Sequence, residues 1–169
     1  MAFRVGTVAV VIVAAGVGFA MLNGRSESVA ERDKAIMVRS DDADIAAARR
    51  KARDTLPEFL ALARAPRGGM SKFAVKIAVR DQGQVEYFWI APFAQSNGSF
   101  SGRINNSPET VHNVKLGERI TFAENEIVDW LYLDGNRLQG NFTACVLLKR
   151  VPRQEAEAAI KRFGMNCEL

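Results

Sequence analysis

Residues 73–93 read FAVKIAVRDQGQVEYFWIAPF, and this stretch decides the fold. Phe73, Val75, Ile77 and Val79 alternate with Ala74, Lys76, Ala78 and Arg80, a period of two that predicts a half-buried strand. Asp81-Gln82-Gly83 then turns the chain into an aromatic second strand, Val85 to Phe93, and Ser96-Asn97-Gly98 turns it again into Phe100 to Asn105. Consecutive strands joined by turns this short make an antiparallel meander.

Beyond the meander, Asn105-Asn106-Ser107-Pro108 opens a polar loop that carries His112 and runs to Gly117, ahead of a strand from Arg119 to Phe122. Ala123 to Trp130 reads equally as a short helical turn or as the start of a strand. Asp134-Gly135-Asn136 is a hairpin signal between Trp130 to Leu133 and a longer run, Leu138 to Arg150, read as one strand with a bulge at Gly140. Pro152 stops that strand, and Gln154 to Phe163 predicts a terminal helix closed by Gly164.

Upstream, Asp41 and Asp42 are suited to cap a helix whose inward positions, Ile45, Ala48, Ala52, Leu56, Phe59, Leu60 and Ala63, recur at helical spacing. Pro57 and the capping-box pattern Thr55-Leu56-Pro57-Glu58 predict a kink or restart near Thr55. Arg49, Arg50, Lys51 and Arg53 spread over the side away from the apolar stripe, as a solvated basic face or, alternatively, a surface for anionic lipid or an acidic partner. The whole is an α+β fold: a kinked helix on a curved, mostly antiparallel sheet of roughly six strands, with a short C-terminal helix.

The 169 residues are 48% hydrophobic and 25% charged, with 13 Gly and 5 Pro, which suits one domain with its own core and excludes collagen-like, low-complexity or wholly disordered chains. The net charge of +4 arises from 23 basic and 19 acidic residues mixed along most of the chain. Nucleic-acid binders gather basic charge on one face with aromatics for stacking, so no nucleic-acid partner is expected.

Val5 to Leu22 is free of charge and follows Arg4. At about 1.5 Å per residue it nearly spans a bilayer, so it serves as a signal anchor in the inner membrane or as the core of a signal peptide. Gly18 and Ala20 offer small residues for cleavage near Ala20, giving a chain that starts at Met21; the length of the run favours retention as an anchor. Residues 1–22 are thus expected to be an export signal, 23–40 a polar tether and 41–169 a single globular domain in the periplasm. The two cysteines, Cys145 in a strand-like run and Cys167 near the C-terminus, are either a disulfide formed outside the cytoplasm or two unrelated thiols.

The blocks TLPEF (55–59), FSGRINN (100–106), VKLGERITF (114–122), IVDW (127–130) and GNFT (140–143) occur in this order in a known group. The chain resembles YegJ-like bacterial proteins, a domain of unknown function (family 2314), from Asp42 to Pro152. The resemblance implies an export signal, as several members carry one, and a disulfide between cysteines placed like Cys145 and Cys167. It implies no catalytic residue.

Chemical signatures are sparse. His112 is the only histidine and there are two cysteines, so no metal site and no cofactor are expected. Ser101 or Ser107 with His112 and Asp129 lacks a nucleophile-elbow pattern. Glu86, Glu126 and Asp129, near Tyr87, Trp89 and Trp130, are the acids available for glycosidic cleavage, with Glu126 and Asp129 the weak catalytic candidates; the alternative for both tryptophans is core filling. The most distinctive surface is the polar loop: Arg103, Asn105, Asn106, His112 and Asn113, joined by Trp130, are the candidate ligand- or partner-binding residues. The leading expectation is a non-enzymatic envelope domain that binds a protein or cell-wall component. A small envelope glycan hydrolase and an immunity-type, toxin-blocking protein are the alternatives.

Overall fold

The computed structural model describes residues 42–169, together with the backbone of two three-residue strands, β1 (Val8–Val10) and β2 (Ile36–Val38), which pair antiparallel. Apart from those strands, residues 1–22, expected to be an export signal, and 23–40, expected to be a tether, lie outside the described residues. Among the described residues no helix is long and apolar enough to cross a membrane.

Asp42 opens α1 (Ala43–Asp54): its Oδ1 accepts from the amides of Asp44 and Ile45, both at 3.1 Å, satisfying two of the free donors of the first turn. The predicted break falls where expected, and α2 (Leu56–Arg64) restarts with Pro57 in its first turn. The expected capping box does not form. The Thr55 hydroxyl instead donates back to the Lys51 carbonyl at 2.7 Å, so it closes α1 rather than opening α2.

Six strands follow: β3 (Met70–Asp81), β4 (Gln84–Ser96), β5 (Ser99–Ile104), β6 (Arg119–Ala123), β7 (Ile127–Asp134) and β8 (Arg137–Gly140). They form one antiparallel sheet in the order β6-β5-β4-β3-β7-β8, with β3 at the centre. Gln82 and Gly83, then Asn97 and Gly98, all sit at positive φ, the two-residue turn whose twist matches that of the flanking strands. The first of these turns sets the β3–β4 register and so places Lys76 opposite Trp89; on its other side β3 pairs with β7, where Lys76 lies opposite Asp129. A 3-10 turn, Glu124–Glu126, carries the chain from β6 to β7 and resolves the ambiguous segment.

The α1–α2 face buries Ala52, Leu56, Phe59 and Leu60 against Val75, Ile77, Phe88, Ile90 and Trp130. Phe59 stacks on Trp130 at 4.9 Å between centroids, and the Trp130 indole N–H donates to the Ala52 carbonyl at 2.9 Å. On the opposite face Ala74, Trp89 and Leu131 form a smaller cluster.

The run Leu138 to Arg150 corrects the expected single strand. The sheet ends at Gly140, and Phe142–Leu148 is a helix, α3, so Cys145 is helical. Gly140 (φ 77°) and Asn141 (φ 55°) are successive left-handed residues that turn the chain out of the ladder. A Cβ on Gly140 would meet the Trp130 carbonyl oxygen, so only glycine fits this approach. A short apolar run bounded by turns does not separate strand from buried helix by periodicity, which is why the sequence reads as a strand. The chain closes with α4 (Arg153–Phe163), capped by Gly164. The Leu138 amide donates to the Gly164 carbonyl at 2.8 Å, bringing the tail to β8, and Cys145 and Cys167 form a disulfide with their Cα atoms 5.3 Å apart.

Candidate functional site

The loop between β5 and β6, residues 105–118, carries most of the sequence-predicted binding residues, and its shape follows from one buried acid. Glu86 on β4 is 2% exposed. Its Oε1 accepts from the Glu109 amide at 2.9 Å; its Oε2 accepts from the amides of Thr110 (2.9 Å) and Val111 (3.1 Å) and from the Thr110 hydroxyl (3.1 Å). Three successive backbone donors thus wrap one carboxylate, the arrangement loops use to hold an anion, here supplied by the protein itself. Val111 is drawn into the core beside it, 1% exposed.

Further ties run along the same edge. Asp81, at the end of β3, accepts from the His112 amide at 2.8 Å, and the Asn113 side-chain amide donates to the Arg80 carbonyl at 2.9 Å. Asn106 is buried: its Oδ1 accepts from the Trp89 amide at 2.8 Å, while the Asn105 amide donates to the Trp89 carbonyl at 2.8 Å. The Arg103 guanidinium donates to the Gly117 carbonyl at 2.9 Å. Asn105, His112 and Asn113 are therefore exposed residues of one well-tied loop, and Arg103, exposed on β5, is tied to the far end of that loop at Gly117. Asn106 and Trp130 have their side chains turned inward, Asn106 as a brace of the loop and Trp130 as the stacking partner of Phe59.

The acids considered for glycosidic cleavage do not converge. Glu86 lies opposite Val79 of β3 and Asp129 opposite Lys76; residues 76 and 79 point to opposite faces, so the two buried carboxylates stand on opposite sides of the sheet. A flanking pair needs both acids on one bond. Glu126 is exposed and its carboxylate accepts from the Ala123 amide at 2.6 Å, holding the turn into β7.

Asp129 organises the second buried cluster. Its Oδ2 accepts from the Thr143 amide (2.9 Å) and hydroxyl (2.6 Å), and its Oδ1 from the amides of Trp130 (2.9 Å) and Phe142 (3.2 Å). It thereby caps the first turn of α3 from a neighbouring strand, a role that Asn141 does not fill. Lys76 donates to Thr143 Oγ1 at 2.7 Å, lies 3.8 Å from Asp129 Oδ2 and sits 4.4 Å from the centroid of the Trp89 ring. Burial holds the Lys76 ammonium below the ordinary lysine range; the Asp129 charge opposes that shift and the Arg49 charge adds to it. Arg49 is correspondingly not on a solvated face. Its guanidinium stacks over Tyr87 at 4.7 Å and donates to the Tyr87 hydroxyl, while Lys51 lies 5.0 Å from the centroid of the Phe142 ring.

In the sequence Glu86 reads as a possible catalytic acid, and Lys76 as an ordinary outward position of an alternating strand. One signal was present: a two-residue turn at Gln82–Gly83 sets Lys76 against Trp89. Nothing local marks Glu86 as the anchor of a segment more than twenty residues away. Among the described residues there is no cluster of His, Cys, Asp and Glu able to hold a metal ion. A shallow apolar groove of about 270 Å³ opens between α2 and the β4–β5 hairpin, lined by Leu60, Phe73, Phe93 and Phe100 with Arg64 and Gln95 at its polar side.

Fold and site together define an α+β domain built on one antiparallel sheet, in which the two most buried acids serve as backbone acceptors. The chain belongs to the family described as uncharacterized protein conserved in bacteria (DUF2314), whose model matches residues 42–167. It is similar to the uncharacterized protein YegJ of Escherichia coli (strain K12), with 39% identity over 85 residues, 50% of this chain and 56% of that protein. The chain thus spans little more than half the length of the curated relative it matches. No solved structure matches it.

Proposed function

We propose that the protein is a non-enzymatic binding domain of the cell envelope, which recognises a protein or cell-wall component through Arg103, Asn105, His112 and Asn113. The observation that carries this reading is the Glu86 clamp. A buried carboxylate that gathers three consecutive amides fixes the loop before any partner arrives, and pre-fixed loops lose less entropy on binding. The hydrolase alternative, which rests on Glu126 and Asp129, is disfavoured because Asp129 is buried with its oxygens occupied by donors of α3 and Glu126 accepts from the Ala123 amide, while Glu86 lies on the opposite side of the sheet from Asp129.

The envelope location rests on the apolar run from Val5 to Leu22 and is supported by the Cys145–Cys167 disulfide, a bond that persists in oxidising compartments. The domain then sits on the periplasmic side, anchored in the inner membrane or released after cleavage near Ala20. Carbonate extraction of membranes is expected to leave the chain in the pellet; a soluble chain beginning at Met21 overturns the anchor and leaves the periplasmic assignment in place.

The binding reading is tested by incubating the purified full chain with isolated cell-wall sacculi. The expected result is no release of soluble glycan fragments. Release that stops in Asp129→Asn or Glu126→Gln, with the fold intact by circular dichroism, establishes the hydrolase instead.

A further inference from the structure

Among the described residues two large apolar side chains stand exposed: Leu169, the C-terminal residue, and Leu116, which is 59% exposed. A lone exposed leucine is ordinary on a protein surface. Leu116 differs in how firmly it is held out. It occupies the second position of the turn Lys115-Leu116-Gly117-Glu118, closed by the Glu118 amide donating to the Lys115 carbonyl at 3.0 Å, with Gly117 left-handed at φ 78°. The Lys115 amide donates to the Glu118 carboxylate at 2.9 Å, and the Gly117 amide to the Ile104 carbonyl at 2.8 Å. The Gly117 carbonyl in turn accepts from the Arg103 guanidinium. Four hydrogen bonds therefore orient a turn whose central side chain touches solvent.

The surroundings are basic. Arg103 and Lys115 adjoin the turn, and Arg119 lies opposite Arg103 in the β5–β6 ladder, all three exposed. The neighbouring acid, Glu118, is engaged by the Lys115 amide.

We propose that the Lys115–Glu118 turn is a docking knob, with Leu116 inserting as a single apolar anchor into an apolar, acid-rimmed pocket on a protein partner. This rests on the reading of the 105–118 loop, of which the turn is the last part, as a recognition surface and names the chemistry of what it recognises. Anchors of this kind carry most of the energy of an interface when they enter a desolvated pocket, while flanking charges set the rate and salt dependence of association. A fixed orientation suits a pocket of defined shape. A bilayer surface makes no such demand on geometry.

The test uses the full chain in its own cells, with a photo-crosslinking side chain at position 112 and the knob intact or altered. The expected result is a discrete protein adduct that falls at least tenfold in Leu116→Ser, is retained in Leu116→Met and in Leu169→Ser, and weakens as salt is raised in spheroplasts. An adduct undiminished in Leu116→Ser overturns the knob while the loop reading stands. No adduct from position 112 in the unaltered chain overturns both. Adducts to lipid in place of protein, lost in Leu116→Ser, overturn the pocket in favour of a membrane surface.

Discussion

Oε2 of Glu86 accepts both the amide hydrogen of Thr110, at 2.9 Å, and the hydroxyl of the same residue, at 3.1 Å. One oxygen on the central sheet thus grips a loop residue by main chain and side chain together, and the neighbouring amides of Glu109 and Val111 complete the grip. Glu86→Gln sets an NH2 group against backbone donors in either orientation of the amide. It is expected to cost about 2–4 kcal/mol in urea unfolding, the range for stranding buried donors that face a charge. It is also expected to open the 105–118 loop to limited proteolysis ahead of global unfolding. A variant as stable and as protease-resistant as the parent removes the clamp from the account.

Asp129 does the corresponding work for α3. Asp129→Asn keeps the size but leaves Lys76 without its counter-charge and turns one acceptor into a donor that faces either Thr143 or the amides of Trp130 and Phe142. The expected loss is about 3 kcal/mol, in the range for breaking a buried pair. Lys76→Met, at a side chain 14% exposed, is expected to lose less, because methionine still covers Trp89 and leaves Asp129 its backbone donors. Equal losses in the two variants, measured by urea denaturation, contradict this ordering.

Asp42 joins the start of α1 to the segment after α3 through Arg150, and that contact is the main reason its pKa falls from 3.8 to about 2; the Ile45 amide adds to the shift. A carboxyl whose folded value is depressed contributes stability that is complete above its unfolded value and is lost as the pH drops through the folded one. The stability difference between the parent and Asp42→Asn is therefore expected to be constant above pH 4 and to shrink between pH 4 and pH 2, read from thermal melts across that range. A difference unchanged down to pH 2 contradicts the assignment.

Gly140→Ala is expected to destabilise by about 3 kcal/mol or more, since it adds a left-handed penalty to a Cβ pressed against the Trp130 carbonyl. Gly83→Ala shares the positive φ but meets no atom within 4 Å, and about 1–2 kcal/mol is expected there. Equal costs in calorimetry would show that backbone strain alone, without the Trp130 contact, governs Gly140.

Reduction of Cys145–Cys167 frees a loop with a sequence separation of 22, and roughly 3 kcal/mol is expected to be lost in denaturation with reductant against without. Reduction that leaves the midpoint unmoved contradicts a structural role for the bond.

The parts of the fold carried by local patterns were legible in the sequence. Alternation from Phe73 to Arg80 and the paired turns at Gln82–Gly83 and Asn97–Gly98 yield the meander and its register, and Pro57 yields the break between α1 and α2. What was not legible depends on distant partners. Residues 142–148 are helical because two left-handed residues turn them out of the sheet and Asp129, on another strand, caps their first turn. Thr55 carries a capping-box pattern, yet its hydroxyl finds the Lys51 carbonyl of the preceding helix closer to hand. For the candidate site, the loop and its exposed residues were recognisable from composition. That Glu86 braces the loop, and that Asn106 and Trp130 face inward, follows from contacts across strands that no local window contains.

The binding reading is tested most directly by photo-crosslinking in living cells, with the probe placed in the full chain at Asn105 or His112 on the loop and at Glu155 on α4. The account predicts discrete adducts from positions 105 and 112 and none from 155. Adducts of equal yield from all three positions, or none from the loop, contradict it.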